Sequence, residues 1–279
     1  GKEARHTNTV FVELWHKALQ QSKFETDYIQ YLTLDRQGIQ DFIINNPEKI
    51  DLIVPRGGQG LIDFVLQYSQ IPALVSGRGN NFLYIDQSGD FDMAKKIILN
   101  GKSKVSACNA LDKVIINTNL LDLPSKVTGL ISELRQNKIQ VSISQQLFNS
   151  LSLDVNTHLD IIQESEKGDL LSKEFLSSKI FLDLVPDLNT AIKTINNYSG
   201  GHSAVIISSD TSLAKKFQED VDCAAVYHNV SSRFTDGGQF GFGAEVAIST
   251  QKMHFRGPIT LDQLVTNKWY INGNGQVRD

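Results

Sequence analysis

Cys108 is the residue with the most chemistry to offer in this sequence. It lies at the middle of Ser103–Asn117, which reads Ser-Lys-Val-Ser-Ala-Cys-Asn-Ala-Leu-Asp-Lys-Val-Ile-Ile-Asn. Cysteine is the most intrinsically nucleophilic side chain at neutral pH, and Ser106, Ala107 and Ala110 are small enough to let a substrate approach it. The β-branched run Val114–Ile116 follows closely, so the thiol sits in a loop or short helical turn that feeds a buried strand. A lone cysteine is more often a small buried hydrophobe than a nucleophile, and spacing alone does not decide between the two.

Two other stretches carry chemistry. Ile50–Val54 reads as a strand and is followed by Pro55-Arg-Gly-Gly-Gln-Gly60 and the amphipathic run Leu61–Tyr68, which together make strand, glycine-rich turn and helix. Such a turn lets the backbone approach a phosphate at the positive end of the helix, although a tight turn that simply needs glycine reads the same way. Residues 231–258 break the rhythm of the chain, with glycines and aromatics set among Arg233, Asp236 and Glu245. A loop of that composition either touches ligand or forms a hinge where two domains meet.

The remaining pattern must position these stretches. Helices are expected at 8–21, Arg36–Asn45, 90–99, 126–136, Leu188–Tyr198 and 211–221, and strands at 72–75, 81–86, 139–143, Lys179–Val185, 203–208 and 224–228. Residues 150–173 carry few signals, and Lys268–Asn272 reads as a short amphipathic strand suited to an edge between subunits. Strands alternating with helices predict an α/β protein with a parallel sheet.

Composition sets limits. With 279 residues, of which 41% are hydrophobic, the chain can bury a sizeable core, and a net charge of −4 with scattered Lys and Arg gives no argument for nucleic acid or an anionic membrane. No apolar run is long enough to span a membrane, and the first residues hold no signal-peptide core, so the cytoplasm is the expected compartment. The only cysteines are Cys108 and Cys223, and the six histidines form no HxxxH or HExxH pair, so neither a disulfide framework nor a metal site is expected. The chain opens without Met in what reads as mid-domain, as a fragment would.

Taken in order, these segments resemble the γ-glutamyl phosphate reductases, also called glutamate-5-semialdehyde dehydrogenases, a branch of the aldehyde dehydrogenase superfamily. The likeness rests on Gly1-Lys-Glu-Ala with His6, Ile50-Asp-Leu-Ile-Val-Pro-Arg-Gly-Gly-Gln-Gly-Leu, Ala107-Cys-Asn-Ala, Gly201-His and Val221-Asp-Cys-Ala-Ala-Val. Ser232-Arg-Phe-Thr-Asp-Gly, Phe240-Gly-Phe-Gly-Ala-Glu-Val-Ala-Ile-Ser-Thr and His254-Phe-Arg-Gly-Pro-Ile-Thr-Leu complete it. Together they cover nearly the whole chain, read as the C-terminal two-thirds of the family.

The resemblance implies an aldehyde-dehydrogenase-like α/β fold: a partial Rossmann-type NADP-binding domain over 1–100, a catalytic cysteine domain over 101–228, and a return segment with an oligomerisation strand over 229–279. It implies NADPH-dependent reduction of γ-glutamyl phosphate to glutamate 5-semialdehyde through a thioester on Cys108, with Asn109 beside it, in proline biosynthesis. It also implies a homo-oligomer, with an upstream glutamate 5-kinase as partner. Lys2, Glu3, Pro55, Arg56, Gly57, Gly58 and Gly60 match the cofactor stretches, and Phe242, Gly243 and Glu245 are candidates around the nicotinamide ribose. Arg233 with Ser231 and Ser232 is the candidate holder of the substrate's phosphate or carboxylate, since a guanidinium fork and hydroxyls suit those anions, and His202 can contribute. Ser76-Gly-Arg-Gly79 and Lys102–Ser106 depart from the family's usual residues, so the loop before the nucleophile is expected to have its own shape. Another acylating aldehyde dehydrogenase, or a remnant kept for assembly, are the alternatives.

Overall fold

The computed structural model describes residues 2–151 and 159–278, apart from the side chains of Lys2 and Gln59. The chain divides into two compact units, one up to Ala73 and one from Leu74 onward.

The first unit holds α1 (Arg5–Gln21), α2 (Arg36–Asn45) and α3 (Gln59–Tyr68). Asp35 caps α2 by accepting the Gly38 N–H at 2.8 Å, and Asn46 ends it in the left-handed region. The strands expected at 50–54 and 72–75 shrink to one parallel bridge between Ile53 and Ala73, held by the Ile53 N–H on the Pro72 carbonyl at 2.8 Å. Pro55 and Pro72 have no N–H to offer, so a ladder cannot extend past them. The stripe Val10, Phe11, Leu14 and Trp15 on α1 is exposed.

The second unit is built on a seven-stranded sheet. Its elements in order are β1 (Asn81–Ile85), α4 (Phe91–Gly101), β2 (Leu111–Asn117), α5 (Leu123–Gln136), β3 (Gln140–Ser144), α6 (Gln145–Ser150), β4 (Asp160–Ile162) and α7 (Glu164–Ser172). These are followed by β5 (Lys179–Val185), α8 (Leu188–Tyr198), β6 (Ser203–Ile207), α9 (Thr211–Asp220) and β7 (Ala225–His228). The strand order is β4-β3-β5-β2-β1-β6-β7, and every pairing is parallel. Successive side chains of a strand face opposite ways, so Leu83 and Ile85 pack under α4, α5 and α6 while Phe82 and Tyr84 pack under α7, α8 and α9. The core is therefore two apolar layers, one on each face. After β7 come a short antiparallel pair, β8 (Ala247–Ser249) with β9 (Gly257–Ile259), and α10 (Leu261–Leu264).

Three expectations differ from this arrangement. The boundary expected at residue 100 stands against a division between Ala73 and Leu74, because β1 lies inside the sheet between β2 and β6 rather than in a sheet of its own. Residues 150–173, which carry few sequence signals, supply β4 and α7; the part of this stretch at 152–158 lies outside the described residues. Lys268–Asn272 forms no strand, and Trp269, Tyr270 and Ile271 are 80–89% exposed. A strand needs a neighbour for its N–H and C=O groups, and this segment pairs with no strand among the described residues.

Candidate functional site

The Cys108 turn joins the end of α4 to the start of β2. Gly101 lets the helix end lie against the strand, since a Cβ there would stand 2.7 Å from the Leu111 Cβ. Backbone bonds from Ala107 N to Lys104 O (3.2 Å) and from Ala110 N to Ala107 O (2.9 Å) curl the chain around Cys108, which is partly buried. The turn lies at the N-terminal edge of the sheet, beside the starts of β1 and β6.

The segment after β7 closes over this turn. The Asn109 amide donates to the carbonyls of Thr235 (3.0 Å) and Arg233 (3.3 Å), and the Ser232 hydroxyl donates back to the Asn109 carbonyl at 2.8 Å. Ser231 donates to the Asn100 side chain at 2.7 Å and accepts the Arg233 N–H, which starts a single 3-10 turn. The Thr235 hydroxyl meets Ser203 Oγ at 2.7 Å and the Tyr227 hydroxyl at 2.9 Å, and Ser203 Oγ lies 2.7 Å from His202 Nδ1. Cys108, Asn109, Ser231, Ser232, Arg233 and His202 thus share one hydrogen-bonded neighbourhood, reached from three distant parts of the sequence.

Three polar atoms of this neighbourhood are buried without a hydrogen-bond partner: Asn109 Oδ1, His202 Nε2 and one terminal nitrogen of Arg233. Buried polar atoms are rarely left so, and a site awaiting a polar ligand is one reason for it. Burial pushes the His202 imidazole down to about 4, so at neutral pH it offers a hydrogen bond and no charge. The two cysteines differ in setting. Burial pushes the Cys223 thiol up to about 11, with the Ser199 hydroxyl 3.5 Å away, which leaves it inert.

Behind the turn lies a polar cluster that the sequence does not announce. Lys102 and Asp112 form a buried ion pair at 3.0 Å, and Asp112 also accepts the Phe175 N–H at 2.7 Å. Lys113 is fully buried, donates to Asn80 Oδ1 (2.7 Å) and the Lys173 carbonyl (2.6 Å), and lies 3.7 Å from the centre of the Phe175 ring. Asn81 reaches the Cys108 carbonyl at 2.7 Å. In sequence Gly-Asn-Asn reads as an ordinary turn, and no local signal marks these amides.

The segment 236–246 carries Phe242, Gly243 and Glu245. The Glu245 carboxylate accepts the Gly237 N–H at 2.8 Å, while Phe242 is exposed with its ring edge-on to Phe240. Gly243 has φ +78°, which suits glycine.

In the first unit, Pro55 is buried while Glu3, Arg56, Gly57, Gly58 and Gly60 are exposed. Gly58 precedes α3 with no side-chain cap, and nothing lies within 4 Å of a Cβ built at Gly58 or Gly60. The first turn of α3 therefore offers open backbone to a ligand. A cavity of about 750 Å³ in this unit is lined by Arg5, Asn8, Tyr31, Arg36, Gly60 and Phe64 among others. Two guanidinium groups, two aromatic rings and a helix start fit a nucleotide's phosphates and base. The Lys2 side chain lies outside the described residues. Among the described residues no group of three or more His, Cys, Asp or Glu could hold a metal ion, and no helix is long and apolar enough to cross a membrane.

No protein-family model matches the chain. The γ-glutamyl phosphate reductase of Legionella pneumophila (strain Paris) is 41% identical over 281 residues, covering all of this chain and 66% of that protein. The crystal structure of γ-glutamyl phosphate reductase from Thermotoga maritima superposes with a TM-score of 0.90 at 34% identity, again over all of this chain and 65% of that one. An acetylating aldehyde dehydrogenase from Geobacillus thermoglucosidasius, 16% identical with a TM-score of 0.63 over 88% of this chain and 61% of that one, shares the fold. The chain thus spans about 65% of the length of the curated relatives it matches. With the parallel sheet and the Cys108 turn already in hand, these likenesses show that the chain belongs to the γ-glutamyl phosphate reductase family, within the aldehyde dehydrogenase fold.

Proposed function

We propose that this chain is the thiol-bearing part of an NADPH-dependent γ-glutamyl phosphate reductase, which makes glutamate 5-semialdehyde for proline biosynthesis. The observation that carries the reading is Arg233: a guanidinium with a buried, unpartnered nitrogen, whose own carbonyl is held by the residue next to Cys108. Such a cation is prepared for an anionic substrate.

In this reading the Cys108 thiolate attacks the acyl carbon of γ-glutamyl phosphate. A C–S bond forms, the C–O bond to phosphate breaks, and inorganic phosphate leaves with the electron pair. Acyl phosphates are strong electrophiles with good leaving groups, so thiolate character and positioning matter more than a neighbouring base. Arg233 holds the phosphate or the substrate's carboxylate, while Ser231 and Ser232, whose hydroxyl hydrogens go to Asn100 and to the Asn109 carbonyl, fix the turn that presents it, and neutral His202 lends a hydrogen bond from behind. Asn109 has both amide hydrogens committed to the 233 and 235 carbonyls, so its part is to keep the Arg233 segment against the nucleophile. Reduction of the thioester then breaks the C–S bond, releases the aldehyde and returns the thiolate.

NADP(H), when bound, supplies the hydride. The residues that would hold it in the first unit are Gly58 and Gly60 at the start of α3, Pro55, Arg56 and Gly57 just before them, and Lys2 and Glu3 near the start of the chain; Glu245, Phe242 and Gly243 are the family-implied candidates for the nicotinamide ribose. The exposed Trp269–Ile271 segment is proposed as a strand that pairs in a homo-oligomer.

The test is the reverse reaction: phosphate-dependent reduction of NADP by glutamate 5-semialdehyde, on this chain and on a form carrying the family's full length. Activity that requires phosphate and is abolished by Cys108→Ala supports the reading. Activity that depends on coenzyme A in place of phosphate, or that survives Cys108→Ala, overturns it.

A further inference from the structure

Three successive carbonyls of the nucleophile turn, those of Cys108, Asn109 and Ala110, are each bound by a side chain from elsewhere in the fold. Ser232 Oγ holds the middle one at 2.8 Å, and Asn81 Nδ2 holds both of the others at 2.7 Å. The same nitrogen also meets the Gly79 carbonyl at 2.9 Å. We infer that Asn81 is the positioning residue for the Cys108 thiol, a role that rests on reading Cys108 as the nucleophile.

Several features of the fold converge on Asn81. It is fully buried at the first position of β1, and its Oδ1 has no hydrogen-bond partner. The amide is therefore oriented by its surroundings, since turning it over would set Oδ1 against three carbonyl oxygens. Leaving Oδ1 unmatched is unfavourable for stability, which favours a role beyond stability. The register of β1 against β2 slips here: Asn81 pairs with Leu111 and Phe82 with Lys113, so Asp112 is the extra residue of a bulge. Bulges re-aim side chains beside active sites, and this one turns Asn81 toward the turn in front of β2.

The strand start that carries Asn81 is itself fixed on both sides. Glu174 accepts the Gly79 N–H at 3.0 Å, and Asn80 donates to the carbonyls of Leu171 and Tyr198 while accepting from Lys113. A Cβ at Gly79 would lie 2.0 Å from the Cys108 carbonyl oxygen, so the two backbones are in direct contact and only glycine fits there. A carbonyl oxygen facing a thiolate repels it. With the Cys108 and Ala110 oxygens drawn onto Asn81, their negative ends are committed away from solvent and the thiolate form is favoured.

The experiment follows alkylation by iodoacetamide at Cys108 and Cys223, resolved by peptide mass, from pH 5 to 10 on the full chain. Wild type is compared with Asn81→Asp, which keeps the side chain's volume but loses the donor, and with Asn81→Ala. The expected result is a Cys108 rate at pH 7 reduced at least fivefold, with the midpoint of its pH profile moved up and Cys223 still protected. A folded variant whose Cys108 profile superposes on wild type overturns the inference. Where a variant does not fold, wild type decides by NMR. The Asn81 side-chain amide resonances should shift with the Cys108 titration, and resonances that stay fixed through it overturn the inference. A wild-type Cys108 that titrates like an ordinary thiol, near ~8.5, overturns the nucleophile reading itself and this inference with it, which separates the two failures.

Discussion

The Asn109 amide and the Thr235 carbonyl are joined by a 3.0 Å hydrogen bond across 126 residues of sequence. This bond ties the residue beside the thiol to the segment that follows the last strand of the sheet. Replacing Asn109 by Ala leaves the buried Thr235 carbonyl and the partly buried Arg233 carbonyl without this donor. The expected cost is about 1–3 kcal/mol of stability. Phosphate-dependent activity should fall at least tenfold while Cys108 remains alkylatable. Urea unfolding and the reverse assay check the two parts separately.

His202 should dominate acid sensitivity. Its folded value of about 4 lies below its ordinary 6.5, so between those limits the unfolded chain binds a proton that the folded one refuses. The stability it contributes is complete above pH 6.5 and is lost as pH falls toward 4, amounting to roughly 3 kcal/mol over the window. His202→Gln should flatten this slope in urea titrations at pH 4, 5, 6 and 7. An unchanged slope would show that other groups carry it.

Lys113 should act in the alkaline range. Burial is the main cause lowering it from 10.5 to about 7, with Lys102 and Lys179 adding to the shift and Asp112 and Glu174 opposing it. Above pH 7 the unfolded chain retains a proton that the folded one has released, so stability rises with pH from about 7 toward 10.5. Thermal unfolding of Lys113→Met at pH 7, 8 and 9 should show a smaller rise than wild type. Because Lys113 also holds Asn80, this variant should slow Cys108 alkylation as well.

Where local chemistry decides, the sequence and the structure agree. Arg36–Asn45, Lys179–Val185 and Leu188–Tyr198 stand where they are expected, the two helices begun by the aspartates Asp35 and Asp187 and the strand built from a β-prone apolar run. Partners far along the chain are not written locally. Nothing in Asn81–Ile85 says that it lies between β2 and β6 rather than in a sheet with residues 50–54. Residues 163–166 did carry a start signal, the Glu166 carboxylate returning to the Gln163 N–H at 3.2 Å, but the polar run around them hid it.

The candidate site divides the same way. Cys108, Arg233 and the serines beside it are legible from residue type and from the family likeness. Asn81, Asn80 and Glu174 are not, because a turn asparagine and an exposed-looking glutamate gain meaning only when a distant backbone meets them.

The segment after β7 contributes no strand to the seven-stranded sheet, yet it provides the Thr235 carbonyl, the Ser232 hydroxyl and the Arg233 guanidinium. The large sheet and the cover over the Cys108 turn thus come from different stretches of the chain. A cut just beyond His228 would leave every strand of the large sheet in the remaining chain while stripping Cys108 and Asn109 of their cover. One peptide bond separates the last strand of the large sheet from the segment that covers the Cys108 turn.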